Sequence, residues 1–126
     1  MGGYGTWKLA AQHPERFAAL IVICGGILWP PSVVMQPLYA RADNPYARTA
    51  LSVASIPIWV FHGDADQNVP VTESRRMVDA LRALKARVKY TEYKGVSHFM
   101  WDRAYGEPDL PPWLFEKRRH PTQTSK

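Results

Sequence analysis

Two polar residues, Asp66 and His98, have the types and spacing of the acid and base in a hydrolytic triad. Asp66 ends the segment 61–66 (FHGDAD), directly after an apolar run, and His98 follows 32 residues later. That separation allows one helix and one strand to return the chain alongside. A carboxylate placed in this way can orient an imidazole, which takes a proton from a nucleophile and returns it to the leaving group.

The same acidic segment offers a second carboxylate, Asp64. We favour Asp66 as the acid, because one further turn of loop is needed to reach the end of the neighbouring strand. The alternative interpretation is an ordinary acidic turn in which either residue accepts hydrogen bonds from local backbone N–H groups.

The first residues match part of a nucleophile motif. Met1 and Gly2 fit the last two positions of Gly-x-Ser-x-Gly, whose strained turn exposes a serine. On this interpretation the backbone N–H of Met1 helps to bind an oxyanion, and a helix from Gly3 adds its positive end. The serine would directly precede Met1, so we expect no nucleophile within the 126 residues. Ser97 and Cys24 lie in incomplete versions of the motif, and Cys24 is expected to be a small buried apolar residue.

Two aromatic residues, Trp101 and Tyr4, are candidates for lining a substrate pocket. Trp101 is the stronger candidate, because it lies one short turn beyond His98. The usual role of aromatic residues is core or interface packing, which is the other interpretation for these two and for Trp29, Tyr39, Tyr46, Tyr105 and Trp113. A metal site is conceivable but its ligand set is loose, so we predict none; it would use His62, Asp64, Asp66 and His98.

Composition limits the classes of partner. Of the 126 residues 46% are hydrophobic, which suits a globular core, and the single cysteine excludes an internal disulfide. The net charge is +5, but the basic residues do not alternate with aromatic residues as in single-strand binders. No apolar run approaches the roughly 18 residues of a membrane span, and the start lacks the pattern of a secretory signal. We therefore expect a small-molecule partner, no nucleic acid and no membrane span.

The elements that must position these residues alternate between helix and strand. Continuous apolar runs predict buried parallel strands near residues 18–24 and 57–61, and an alternating pattern predicts a third at 88–93. Helical patterns are expected at 3–12 and 71–84. Residues 27–55 contain several prolines and are interpreted as an excursion that covers a pocket. This order predicts an α/β fold with three parallel strands and right-handed crossovers.

Several blocks of sequence, in this order, resemble the C-terminal half of prolyl-oligopeptidase-like and carboxylesterase-like α/β-hydrolases. They are residues 2–7 (GGYGTW), 13–19 (HPERFAA), 23–26 (ICGG), 57–63 (PIWVFHG) and 90–93 (YTEY). The resemblance implies a partial α/β-hydrolase fold over residues 1–118, followed by a polar basic tail at 119–126. It also implies a Ser–Asp–His triad with Asp66 as acid and His98 as base, and no metal or cofactor.

The expected reaction is hydrolysis of a carboxylic ester, thioester or peptide bond by the parent domain, acting on a small-molecule ester or peptide. We expect residues 1–126 alone to be inactive and marginally stable, because the serine and the neighbouring strand are missing. Two alternatives stay open. One is a non-catalytic binding or interaction module derived from the hydrolase fold, and the other is a start codon assigned too far downstream.

Overall fold

A parallel three-stranded sheet forms the centre of the protein. The computed structural model describes residues 1–28 and 44–119. The strands are β1 (Leu20–Ile23), β2 (Ile58–Gly63) and β3 (Val88–Tyr93), in the spatial order β1-β2-β3. The predicted α/β fold with three parallel strands is confirmed, although β1 is shorter than expected. β2 runs two residues further than predicted, because His62 and Gly63 pair with β3.

Five α-helices flank the sheet in the described part of the chain, which also has a short 3-10 helix, Pro14–Arg16. The α-helices are α1 (Gly2–Gln12), α2 (Pro45–Val53), α3 (Val71–Ala83), α4 (Trp101–Tyr105) and α5 (Leu110–Phe115). The first residue of α2 is a proline, which needs no N–H partner there, and the Asn44 side chain accepts from the N–H of Ala47 at 3.0 Å. The predicted aromatic residues Trp29 and Tyr39 lie outside the described residues. Among the described residues, no helix combines the length and apolarity needed to cross a bilayer.

Strand β2 is buried on both faces, as its continuous apolar run predicts. Ile58 and Val60 face a core shared with α1, α2 and α3, whereas Trp59 and Phe61 face a second core. The second core includes Met100, Ala104 and Leu110 near α4 and α5. Burial of such side chains is the main favourable term in folding. This packing fixes the carboxyl ends of the strands, from which the polar segments of the site emerge.

The start of α1 packs directly on the turn after β1. A β-carbon on Gly3 would lie 2.4 Å from the Cα atom of Gly25, so neither position has room for a side chain. Glycine permits this close approach of two backbones. As a result the first turn of α1 lies beside the end of β1, close to the segment that follows β3.

Candidate active site

Asp66 is a buried carboxylate held by three hydrogen bonds. Its Oδ1 atom accepts from the backbone N–H groups of Asn68 and Val69, each at 2.8 Å. Its Oδ2 atom accepts from Nδ1 of His98, also at 2.8 Å. The side chain of Asp66 is fully buried, whereas 21% of the His98 side chain is exposed. The structure therefore joins the two predicted residues while Asp66 also caps its own loop, as the alternative interpretation expects.

The loop after β3 carries His98 to Asp66. Asp64 accepts a hydrogen bond from the backbone N–H of Gly95 at 2.6 Å, which ties this loop to the end of β2. Gly63 allows the loop to pass close by, because any side chain there would collide with the carbonyl of Val96. The two carboxylates thus have different partners: Asp64 binds backbone and Asp66 binds the imidazole.

The environment of Asp66 favours its ionised form. Burial acts to raise the pKa of this carboxyl, but hydrogen bonds from Val69, His98 and Asn68 outweigh burial and leave the pKa below its usual value. An ionised carboxylate at Nδ1 fixes the tautomer of His98 with its proton on that nitrogen. The other ring nitrogen, Nε2, has no hydrogen-bond partner among the described residues, so it can act as a proton acceptor.

A cavity of about 270 Å³ lies beside His98. Its wall brings together the start of α1, the end of β1 and the region around α4; the lining residues include Met1, Gly2, Ile21, Ile23, Cys24, His98, Trp101 and Tyr105. Of the two predicted pocket residues, Trp101 lines this cavity. Tyr4 is not among the lining residues: it is buried, and its hydroxyl donates to the carbonyl of Leu28 at 2.9 Å.

Two aromatic rings contact the imidazole of His98. Phe99 and Trp101 both meet His98 edge to face, with ring centroids 6.1 and 6.4 Å away. Phe99, Trp101 and Tyr105 are exposed apolar side chains in this structure. Trp101 and Tyr105 line the cavity, and Phe99 lies beside Trp101 with ring centroids 5.3 Å apart.

Cys24 is poorly suited to the role of nucleophile. Its Sγ atom lies 3.5 Å from the carbonyl oxygen of His98, and burial is the main cause that raises its pKa to about 12. A thiol that stays protonated is a weak nucleophile. Cys24 is buried at the end of β1, as the sequence analysis expects.

The one cluster of metal-ligand types found among residues 1–28 and 44–119 is Cys24, His62 and Asp66. Its ligand atoms lie within 4.8 Å of one another, but each is already engaged. His62 uses both ring nitrogens, toward Ser74 and the carbonyl of Val69. The cluster is therefore better described as a hydrogen-bonded network than as a set of available ligands.

His62 and Ser74 also belong to this network. The sequence suggested His62 only as a ligand of a conceivable metal site and suggested no role for Ser74 in the site. For His62 the sequence gives a partial indication, because His62 belongs to the acidic segment that contains Asp66. For Ser74 it gives none, because Ser74 lies within a helix of mostly polar residues. Nothing local in the sequence shows that Ser74 faces inward.

The fold and the geometry of these residues define the class of protein as α/β-hydrolase. Residues 1–110 match the model of the prolyl oligopeptidase family, and the chain belongs to that family. It is 29% identical over 111 residues to isoprenylcysteine alpha-carbonyl methylesterase from Arabidopsis thaliana, covering 86% of this chain and 26% of that protein. An uncharacterized secreted protein from Arthroderma benhamiae is also 29% identical, over 110 residues, covering 78% of this chain and 12% of that protein.

Solved structures share the same fold. A thermostable esterase superposes with a TM-score of 0.71 at 35% identity, over 92% of this chain and 28% of that chain. An acylaminoacyl peptidase from Pyrococcus horikoshii gives a TM-score of 0.62 at 23% identity, over 81% of this chain and 19% of that chain; this likeness concerns the fold alone. The chain thus spans less than a third of the length of each of these relatives.

Proposed function

We propose that the protein carrying these residues hydrolyses carboxylic ester, thioester or peptide bonds through an acyl-enzyme. His98 is the general base and Asp66 is the acid that orients it. The observation that carries the proposal is the 2.8 Å hydrogen bond between Asp66 and His98, beside a cavity that Met1 and Gly2 also line. Membership of the prolyl oligopeptidase family supports the same class of reaction.

The geometry supports a specific path for the proton. The Nδ1–H group of His98 stays hydrogen-bonded to Asp66. Nε2 of His98 takes the hydroxyl proton of the nucleophile as the hydroxyl oxygen attacks the carbonyl carbon of the substrate. The buried carboxylate stabilises the imidazolium that results. His98 then returns the proton to the departing alcohol, thiol or amine as the acyl bond breaks. The backbone N–H of Met1 and the positive end of α1 stabilise the oxyanion.

The family motif predicts that the nucleophile is a serine directly before Met1. Within the described residues, no side-chain hydroxyl hydrogen-bonds the imidazole of His98. We therefore expect residues 1–126 alone to lack hydrolytic activity. On this proposal residues 1–118 are the C-terminal part of one α/β-hydrolase domain, and 119–126 form its basic tail.

The substrate group next to His98 is proposed to be a small apolar acyl or aryl group. Ile21, Ile23 and Trp101 supply an apolar wall to the cavity. The name of the Arabidopsis relative, a methylesterase, favours esters over peptides as the first substrates to test. Tyr4, the other residue predicted for the pocket, does not line the cavity and is proposed to have a packing role only.

The first test is the coding DNA directly upstream of Met1, where an in-frame Gly-x-Ser supports the proposal. The product that includes those residues is then assayed with chromogenic short-chain esters and labelled with a serine-directed phosphonate. Asp66→Asn and His98→Gln are each expected to reduce kcat by about 10⁴-fold.

Asp64→Asn is the matched control, because it lies in the same loop and keeps an oxygen to accept from Gly95. It should retain most of the activity. Undiminished hydrolysis by His98→Gln contradicts the proposal. Tight ligand binding that His98→Ala leaves unchanged, without hydrolysis, favours the non-catalytic binding module instead.

A further inference from the structure

One oxygen of Asp66 lies between two imidazole rings. Its Oδ2 atom is 2.8 Å from Nδ1 of His98 and 3.2 Å from Nε2 of His62. His62 is completely buried on β2, whereas His98 borders the cavity. The mechanism above uses only His98, so the second imidazole needs its own explanation.

The partners of His62 determine where its proton lies. Nε2 is 3.0 Å from the carbonyl oxygen of Val69, which can only accept, so Nε2 carries the proton. Nδ1 is 2.7 Å from the hydroxyl of Ser74 on α3. With the proton on Nε2, Nδ1 accepts from this hydroxyl in preference to the Gly25 carbonyl, which lies further from the hydroxyl at 3.4 Å. These partners favour a neutral Nε2–H tautomer of His62, with the proton directed at Val69 and Oδ2 of Asp66 as a longer contact at 3.2 Å.

The charged groups around His62 do not overcome its burial. Asp66 faces the ring from the β2–α3 loop, and Glu92 lies opposite it on β3 but is paired with Arg75 of α3. His98 contributes from the far side of the Asp66 carboxylate. Burial is the largest influence and holds the pKa of His62 below its ordinary value, despite the attraction of Asp66. The ring consequently stays uncharged near neutral pH.

We propose that His62 is a positioning residue that holds Oδ2 of Asp66 toward His98 through its uncharged Nε2–H group. The backbone amides of Asn68 and Val69 fix Oδ1. The Nε2–H group of His62, which is shared with the Val69 carbonyl, lies 3.2 Å from the other oxygen and opposes rotation of the carboxylate from that side. Because His62 is neutral, the negative charge of Asp66 is left to stabilise a proton on His98. The inference deepens the proposed function and rests on it for its catalytic meaning.

The test compares two amide substitutions with matched size and polarity. His62→Gln extends its N–H group toward the position of Nε2 and keeps a donor for Asp66. His62→Asn reaches only as far as Nδ1, so it keeps a partner for Ser74 and loses the donor. The readout is the NMR signal of the His98 Nδ1 proton, which reports the bond to Asp66 without requiring any activity. We expect His62→Gln to retain the downfield signal, and His62→Asn to shift it upfield or lose it to solvent exchange.

Three results decide the matter. A folded His62→Asn variant whose His98 signal is unchanged overturns the proposal, because His62 would then only fill space. If that variant fails to fold, nitrogen NMR of the unmodified chain decides: an Nε2–H tautomer of His62 supports the proposal. A proton on Nδ1, or a charged ring at neutral pH, overturns it. Failure of the proposed hydrolysis would leave these signals readable, so the two ideas fail separately.

Discussion

Gly63 and Val96 are so close that a β-carbon on Gly63 would lie 2.2 Å from the carbonyl oxygen of Val96. The segment that carries His98 therefore passes directly against the end of β2. The neighbouring bond from Ala65 N–H to the Val96 carbonyl, at 3.0 Å, locks the two loops together. The loop that carries Asp66 and the loop that carries His98 are therefore held against each other.

Gly63→Ala should separate these loops. We expect a loss of about 1–3 kcal/mol in the free energy of unfolding, as is usual when a packed site must absorb an extra group. The His98 Nδ1 proton signal should weaken at the same time. Urea unfolding and NMR measure the two effects, and an alanine variant with the stability and spectrum of the unmodified chain would contradict the packing described here.

Gly3 and Gly5 of α1 provide a matched pair. Gly3 has no room for a β-carbon against Gly25, whereas nothing lies within 4 Å of a β-carbon on Gly5. Gly5→Ala should therefore raise the free energy of unfolding by about 0.5–1 kcal/mol through helix propensity. Gly3→Ala should lower it by about 1–3 kcal/mol. Equal effects of the two changes in urea unfolding would show that α1 does not pack on the turn after β1.

Glu73 joins two segments that precede and follow residues 29–43. Its Oε2 atom accepts from the N–H groups of Ile27 and Leu28 at 2.8 and 3.1 Å, and its Oε1 atom accepts from the hydroxyl of Tyr46 at 2.6 Å. Glu73→Gln puts an amide N–H against one of these donors. We expect it to cost about 1–3 kcal/mol in urea unfolding.

Glu15→Gln is the control for this change, because Glu15 is exposed and should tolerate it. Tyr46→Phe should cost about 1 kcal/mol, since it removes one hydrogen bond and leaves the carboxylate its two backbone donors. Equal stability of the Glu73→Gln and Glu15→Gln variants would count against the bridging role of Glu73.

The free energy of unfolding should decrease in two stages as the pH is lowered. The folded pKa of His62 lies below its unfolded value of about 6.5, so its contribution is complete above that pH and is lost as the pH falls below it. The folded pKa of Asp66 is also depressed, so its contribution is lost below about pH 3.9. In both cases the unfolded chain binds the proton more readily.

His62→Gln isolates the first stage. It has no imidazole to protonate, so the stability difference between the unmodified chain and this variant should decrease as the pH falls from 7 to 5. Urea midpoints across that range measure it. A difference that stays constant would mean that the ring of His62 is not held neutral by the fold.

The local sequence was sufficient to predict the framework of the fold. The run 57–61 marks β2 because a strand buried on both faces needs apolar residues at every position. The placement of an acid after β2 and a histidine after β3 likewise follows from the order of the elements. The family assignment and the three parallel strands are confirmed by the comparisons and the fold, while the catalytic roles of Asp66 and His98 stay predictions.

The sequence favoured Asp66 over Asp64, but only the tertiary structure showed that Asp66 reaches His98 while Asp64 binds Gly95. Only the tertiary structure showed that Tyr4 donates to Leu28 and that Ser74 and Glu73 are buried. A run of apolar residues predicts a buried strand, because burial depends on the average polarity around each side chain. A hydrogen bond between residues 32 positions apart cannot be predicted from neighbouring residues, since it depends on the path of two loops to within a fraction of an ångström. The sequence therefore determined which strands exist and which residues were candidates for the site, and the path of the two loops decided that Asp66 hydrogen-bonds His98.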